Sequence, residues 1–292
     1  MEKNNRYQQI NWYPGHMFKS FKEIKANLSL VDLVFLLIDA RIPYSSMNPE
    51  ILKVLKDKKT IIVFNKSDLA DTNVSNEWIK HYEEQGFICS MSNAQSGIGL
   101  KELNKITNEM FKEINERNAL KGLKPRNLKV MVLGIPNVGK STLINSLTNR
   151  KSAKTGNRPG VTKSKQWIKM DNGYDLLDMP GVLWPKFKDQ KVGYHLAITG
   201  AIKDDILPLD DITNYAINLL QKHYLGRLKN RYDNDITSDM SFVEILDIIG
   251  KKRGALLPRG EIDYDRVYMI ILNDIRSLQL GRLSFDFYDE KI

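Results

Sequence analysis

The chain has 292 residues, 42% apolar and 27% charged, with no apolar run near the roughly 20 residues of a membrane span and a polar opening, MEKNNRYQQI, that lacks the hydrophobic stretch of a signal peptide. A single cysteine, Cys89, excludes an internal disulfide and a cysteine-built metal site, and these features together point to the cytosol. The net charge of +9 is uneven, about +10 over residues 1–184 and about −1 over 185–292, a basic excess that fits a polyanionic partner such as nucleic acid as well as it fits solubility.

In chain order, NWYPGHMFKS (11–20) comes first, with two aromatics, a Pro-Gly turn and His16. It leads into a predicted amphipathic helix over 16–28, with Phe18, Phe21, Ile24 and Leu28 at helical spacing. Trp12, Tyr13, Phe18 and Phe21 read as packing residues rather than base-stacking ones. VDLVFLLIDA (31–40) and TIIVFNKSDL (60–69) are near-continuous apolar runs of strand length, as expected of strands buried on both faces of a parallel sheet. GFICSMSNAQSG (86–97) reads as a third strand ending in a polar loop. Helical patterns at 49–57, 74–85 and 99–117 separate them.

After the basic, Pro-containing linker KGLKPRN (121–127), RNLKVMVLGIPNVGKSTLINSL (126–147) gives a strand, a Gly-rich turn and a helix. WIKM and YDLLDMPG (167–181) are two further strands about the turn at 171–173. Alternating strands and helices predict an α/β domain with a mostly parallel sheet. Beyond WPKFKD (184–189) the patterns are helical, as in ITNYAINLLQKHYLGRL and DRVYMIILNDIRSLQLGRL. The expected division is an α/β domain over 1–188 and a smaller all-helical one over 189–292.

GIPNVGKS (134–141) fits G-x-x-x-x-G-K-[ST] between a strand and a helix, the context a phosphate-binding loop requires. Backbone N–H groups from Asn137, Val138, Gly139, Lys140, Ser141 and Thr142 can cradle a polyphosphate. Lys140 would reach the β- and γ-phosphates, and Ser141 would ligate Mg²⁺. NKSD (65–68) ends an apolar strand, so its side chains emerge where ligands bind in such sheets. The Asp68 carboxylate can accept from both N1–H and the 2-amino group of guanine, and adenine has neither donor. Asn65 can bond the N7 region, and the Lys66 stem can cover the base.

DMPG (178–181) ends another strand, with Asp178 toward Mg²⁺ and the Gly181 N–H toward the γ-phosphate. Thr162, in GNRPGVTKS, is the natural threonine to close on the metal. In SNAQSGIG (92–99), Asn93 and Ala94 stand where a loop can contact guanine O6. The base-recognition motifs precede the phosphate loop, the reverse of the usual order, so the chain reads as a circularly permuted P-loop GTPase domain.

WYPGHM, DARIPYSSMNP, NKSD, GIPNVGKST and DMPGVLWPK together resemble the ribosome biogenesis GTPase A (RbgA/YlqF) family, from about residue 10 onward and most strongly over 11–188. The resemblance implies GTP hydrolysis that is slow until a ribosomal particle stimulates it, and a late step in assembly of the bacterial large (50S) subunit. It also implies contacts with rRNA and ribosomal proteins by both domains, and the chain is expected to act as a monomer with no membrane partner. Val182 stands where many GTPases carry the water-orienting glutamine. The resemblance makes His16 the substitute, alongside Lys140 and Thr162 as catalytic residues. It also makes Asn137 a marker of K⁺ dependence, the ion bridging the phosphates.

The other function class in play is a guanine-nucleotide or alarmone sensor acting as an RNA- or protein-binding module. Lys140, Ser141, Thr162 and Asp178 favour the GTPase. His81, His195 and His223 have no metal-ligand spacing and read as surface or helix-packing residues. KKRG (251–254) with Arg259, and the basic stretches NRPGVTKSK and GLKPRNLK, are candidate rRNA phosphate contacts.

Overall fold

A computed structural model describes residues 10, 15–148, 165–170 and 173–290. Thr162, Trp12, Tyr13, the NRPGVTKS loop and two residues of the 171–173 turn lie outside the described residues. Among the described residues, six strands form one sheet: β1 (Leu33–Asp39), β2 (Thr60–Asn65), β3 (Ile88–Met91), β4 (Leu128–Gly134), β5 (Gln166–Ile168) and β6 (Tyr174–Asp178). Their order is β3-β2-β1-β4-β6-β5. All pairs are parallel except β5 with β6. The fold is mixed α/β with a mostly parallel sheet, as the alternating pattern predicts.

The apolar runs become central strands. Every residue of β1 and of β2 is buried, which requires helices on both faces. Those helices are α1 (Gly15–Asn27), α2 (Pro49–Leu55), α3 (Thr72–Glu84), α4 (Leu100–Leu120) and α5 (Lys140–Thr148). Starts follow local chemistry: the Asn48 side chain accepts from Glu50 and Ile51 N–H ahead of α2, and Asp71 from Asn73 N–H ahead of α3.

Strand order reverses between β1 and β4. The chain runs outward from β1 through β2 to β3, then returns to lay β4 on the other side of β1. Such a switch point opens a crevice at the carboxyl ends of the two strands. Leu37 pairs with Gly134 there, and Asp39 with Asn65. The ends of four motif-bearing segments therefore meet at one edge.

Four helices follow: α6 (Gln190–Ile198), α7 (Leu209–Arg231), α8 (Phe242–Arg253) and α9 (Tyr264–Arg276). A capping box between Ser241 and Glu244 starts α8. The helical pattern read through SLQLGRL stops at Arg276, because the Ser277 hydroxyl donates to Asn273 O and Leu278 takes a left-handed φ of +65°.

The last segment then crosses back over the sheet domain. Leu283 N–H donates to Leu69 O and Phe285 N–H to Arg41 O. Ser45, buried after β1, donates through its hydroxyl to Asp286 Oδ1 at 2.6 Å and lies 3.0 Å from Nδ1 of His195, whose Nε2 is 3.0 Å from the Tyr215 hydroxyl. His195 is thus a buried fastening of α6 to the segment after β1, to α7 and to the returning C-terminal segment.

Two packing expectations need correction or refinement. Phe18 is 54% exposed, because the inner stripe of α1 is Met17, Ser20, Ile24 and Asn27, one step out of phase with it. The Lys22 ammonium covers its outer face at 4.5 Å. Phe21 is half-buried against the core.

Candidate functional site

The phosphate side is formed by the turn from β4 into α5. Lys140, 6% exposed, folds back over the loop and donates to Ile135 O at 2.8 Å and Gly134 O at 3.3 Å. Burial pushes its ammonium down to about 8, against the pull of the Asp178 charge. Asp178, at the end of β6, is pushed up to about 6 by its own burial, with Lys140 opposing. Its Oδ1 is buried and has no hydrogen-bond partner among the described residues.

An orphaned carboxylate oxygen costs free energy unless a ligand completes it. A hard cation coordinated by oxygen would do so, and Ser141, the second residue of α5, offers a hydroxyl oxygen directly after the loop. These residues fit Mg²⁺. Gly181 lies directly on the loop: a Cβ there would stand 2.7 Å from Pro136 Cα and 2.9 Å from Lys140 Nζ. Val182 N–H donates to Gly134 O at 3.2 Å, and Asn48 Nδ2 donates to Val182 O at 3.2 Å. The Val182 side chain is 1% exposed.

The base side is held together by one amide. Asn65 Nδ2 donates to Val138 O at 2.8 Å, and its Oδ1 accepts from the Ser92 hydroxyl and from Ala94 N–H, both at 3.0 Å. That side chain joins the phosphate loop to the 92–94 loop, a bracing role beyond the N7 contact expected of it. It also explains Gly139, which has φ +98° and whose Cβ would lie 2.3 Å from Asn65 Nδ2. Asn93 shapes its own loop, its Oδ1 accepting from Gln95 and Ser96 N–H. Ala94 O accepts from the Ser146 hydroxyl of α5. Asp68 is half-buried beside this assembly, and Thr142 is half-buried in α5.

Asn137 takes φ +56° and donates through Nδ2 to Gly200 O at 3.1 Å, just beyond α6. Arg276, on α9, donates to Ile198 O and Ala197 O and forms a two-pronged pair with Asp204. The phosphate loop is thereby bonded to the helical region.

His16 is brought close to none of this by a ring hydrogen bond among the described residues. It is exposed in the first turn of α1, where its carbonyl accepts from Ser20. His81 packs against Trp78 and Tyr288, and His223 stacks on Phe287. Among the described residues, no group of histidines, cysteines and carboxylates has metal-binding geometry. Of the basic candidates, Arg253 is engaged with Tyr232 and Asp274, and Arg126 makes a two-pronged pair with Asp32. Lys251, Lys252 and Arg259 are exposed.

Sequence reasoning passed over Asp39, Arg41 and Asn48. Their signal was available: an Asp and an Arg two apart at the end of a wholly apolar strand, and an Asn-Pro helix start.

Known proteins resemble this chain in sequence and fold. A family model described as RsgA GTPase matches residues 15–188, and one described as 50S ribosome-binding GTPase matches 129–250. The chain is 46% identical to the ribosome biogenesis GTPase A of Bacillus cereus, over 96% of this chain and 95% of that protein. It is 48% identical to that of Bacillus pumilus, over 95% and 98%. The crystal structure of GNP-bound YlqF from T. maritima superposes with a TM-score of 0.62 at 26% identity, covering 94% of this chain and all of that one.

Proposed function

The chain belongs to the ribosome biogenesis GTPase A family, and from that premise we propose that it binds and hydrolyses GTP at residues 134–142 to drive a late step in assembly of the large ribosomal subunit. It is a GTPase by family, and the assembly step, its stimulation by the particle and the roles of single residues are the proposal. The observation that carries it is the Asn65 amide. It binds the base-recognition strand to a phosphate loop 73 positions later, so that one crevice presents guanine and polyphosphate contacts together.

In this site Asp68 reads the guanine edge, while Asn65 and Ala94 keep the two loops at a fixed separation. Lys140, released from the Gly134 and Ile135 carbonyls, turns its charge to the phosphates. Its pKa is lowered by burial with Asp178 opposing, and a polyphosphate would add further opposing charge. Ser141, Asp178 and Thr162 would hold Mg²⁺, which when bound supplies charge neutralisation across the phosphate oxygens. Asn137 is the proposed K⁺ ligand, through the oxygen of the amide whose nitrogen bonds Gly200.

Val182 is buried and apolar and cannot orient water. We assign that task to His16, which must be carried in from the surface of α1, and an exposed ring supports turnover that waits for a partner. Residues 189–292, with Lys251, Lys252 and Arg259 outward, are the proposed rRNA-contacting part, with 1–188 as the GTPase domain. The protein is proposed to act as a cytoplasmic monomer. Among the described residues, no helix is long and apolar enough to cross a membrane.

The test is phosphate release from GTP with and without large ribosomal subunits, at fixed salt. Stimulation of tenfold or more, of the order a positioned general base supplies, is expected, about 10²-fold at full engagement. GTP binding without any stimulation would favour a nucleotide sensor.

A further inference from the structure

A buried charge cluster joins Lys66 of the base-recognition loop to two residues outside it, Asp39 and Arg41. Asp39 is the last residue of β1 and pairs in register with Asn65, the last of β2. The chain therefore delivers Lys66 beside the Asp39 carboxylate, with Lys66 Nζ 3.1 Å from Oδ2. Lys66 sits at φ +59°, a left-handed conformation that a lysine rarely adopts.

The carboxylate is fixed from its other side. Arg41 donates from Nε to Oδ1 at 2.9 Å and from Nη2 to Oδ2 at 2.7 Å, and its backbone N–H reaches Oδ1 at 3.1 Å. Asp39 N–H in turn donates to the Ser46 hydroxyl, which donates to Ile42 O. Asp39 and Arg41 are each about 2% exposed at the side chain, and Lys66 22%. Arg41 Nη2 also reaches Thr199 O at 3.3 Å, tying the cluster to the end of α6.

A lysine fixed at its head loses freedom before the ligand arrives. A free lysine stem must be ordered by the ligand itself, at a cost in affinity. Burial depresses the Lys66 ammonium, and the Asp39 charge acts against that depression.

We propose that Asp39 is a positioning residue of the nucleotide site: by holding the Lys66 ammonium it lays the Lys66 methylene stem down as a fixed wall for the purine face, and Arg41 holds Asp39 in turn. This rests on reading Asn65–Asp68 as the guanine-recognition loop. The wall touches the ring face, not the 2-amino group, so it acts equally on guanine and hypoxanthine.

The experiment measures GDP and IDP affinity of the full chain by displacement of a fluorescent GDP analogue. Lys66→Met keeps a stem and removes the anchor; both affinities are expected to fall about tenfold, together. Lys66→Arg keeps the ion pair and should recover most of the loss. Asp39→Asn should match Lys66→Met, and adding it to Lys66→Met should cost less than about a further twofold.

GDP binding by Lys66→Met at wild-type strength would overturn the proposal, and so would an Arg variant no better than Met. An Asp39→Asn cost that persists undiminished in the Lys66→Met background would make Asp39 merely structural. Should Asp39→Asn not fold, the Met and Arg variants decide alone. Asp68→Asn is the separate arm: it should transfer preference from GDP to xanthosine diphosphate. Failure there sinks the guanine reading itself, whereas success there with an unaffected Lys66→Met sinks only the role of Asp39.

Discussion

The base half and the hydrolysis half of the nucleotide edge are built on different terms. In the base half the polar groups interlock: Asn65 spans Val138, Ser92 and Ala94, and Asp39 sits between Arg41 and Lys66. In the hydrolysis half Val182 is apolar and buried, Asp178 Oδ1 has no partner among the described residues, and the His16 ring is exposed on α1. Thr162 lies outside the described residues. With the roles proposed above, recognition is organised within the fold and the water-orienting group has to be brought in. Under the proposed roles, such a GTPase is expected to hold nucleotide readily and to turn over slowly until α1 moves.

Breaking the phosphate side should give the largest effect. Lys140→Ala removes the buried ammonium, and GTP turnover is expected to fall about 10³-fold with a large loss of affinity, read by phosphate release and nucleotide titration. His16→Ala tests the asymmetry most directly. Nucleotide affinity should stay as in the wild type, while turnover in the presence of large ribosomal subunits falls about 10²-fold. Equal stimulated turnover in the mutant would return His16 to the role of an ordinary surface residue.

Asn48→Ala probes the strut between the halves, since its side chain caps α2 and also bonds Val182 O. A stability loss of about 1 kcal/mol is expected, seen as a fall in Tm of about 2–4 °C. A last prediction concerns acid. Asp39 is held well below the usual carboxylate range by the Arg41 and Lys66 charges, which outweigh its burial. A carboxylate depressed in the folded state stabilises above its unfolded pKa of about 3.9 and loses that contribution as pH falls toward the folded value. The stability gap between wild type and Asp39→Asn, measured by urea unfolding, should therefore be constant from pH 7 to about 5 and shrink below pH 4.

Much of this could be read without coordinates. The wholly buried β1 and β2 are the apolar runs VDLVFLLIDA and TIIVFNKSDL, and the loop GIPNVGKS sits between β4 and α5, where the motif demands it. Less legible was the phase of α1. Phe18 fits a helical stripe as well as Met17 does, and the choice between them depends on which face the sheet covers. The helix expected to run through SLQLGRL ended early because Leu278 adopts a left-handed turn that composition does not signal. Asn137 was read as an ion ligand, and its nitrogen turned out to bond Gly200, 63 residues on.

The sequence by itself determined the element order, the permuted arrangement of motifs and the GTPase class they point to. Each of these lies within a window of a few residues, where spacing and side-chain type suffice. Tertiary structure alone decided that Asn65 braces two loops, that Asp39 anchors Lys66, and that the segment from Leu283 to Asp286 returns to bond Leu69, Arg41 and Ser45. Those pairs join residues as much as 244 positions apart. A buried polar group must find a partner wherever the closed chain brings one, and local pattern carries no record of which partner that will be.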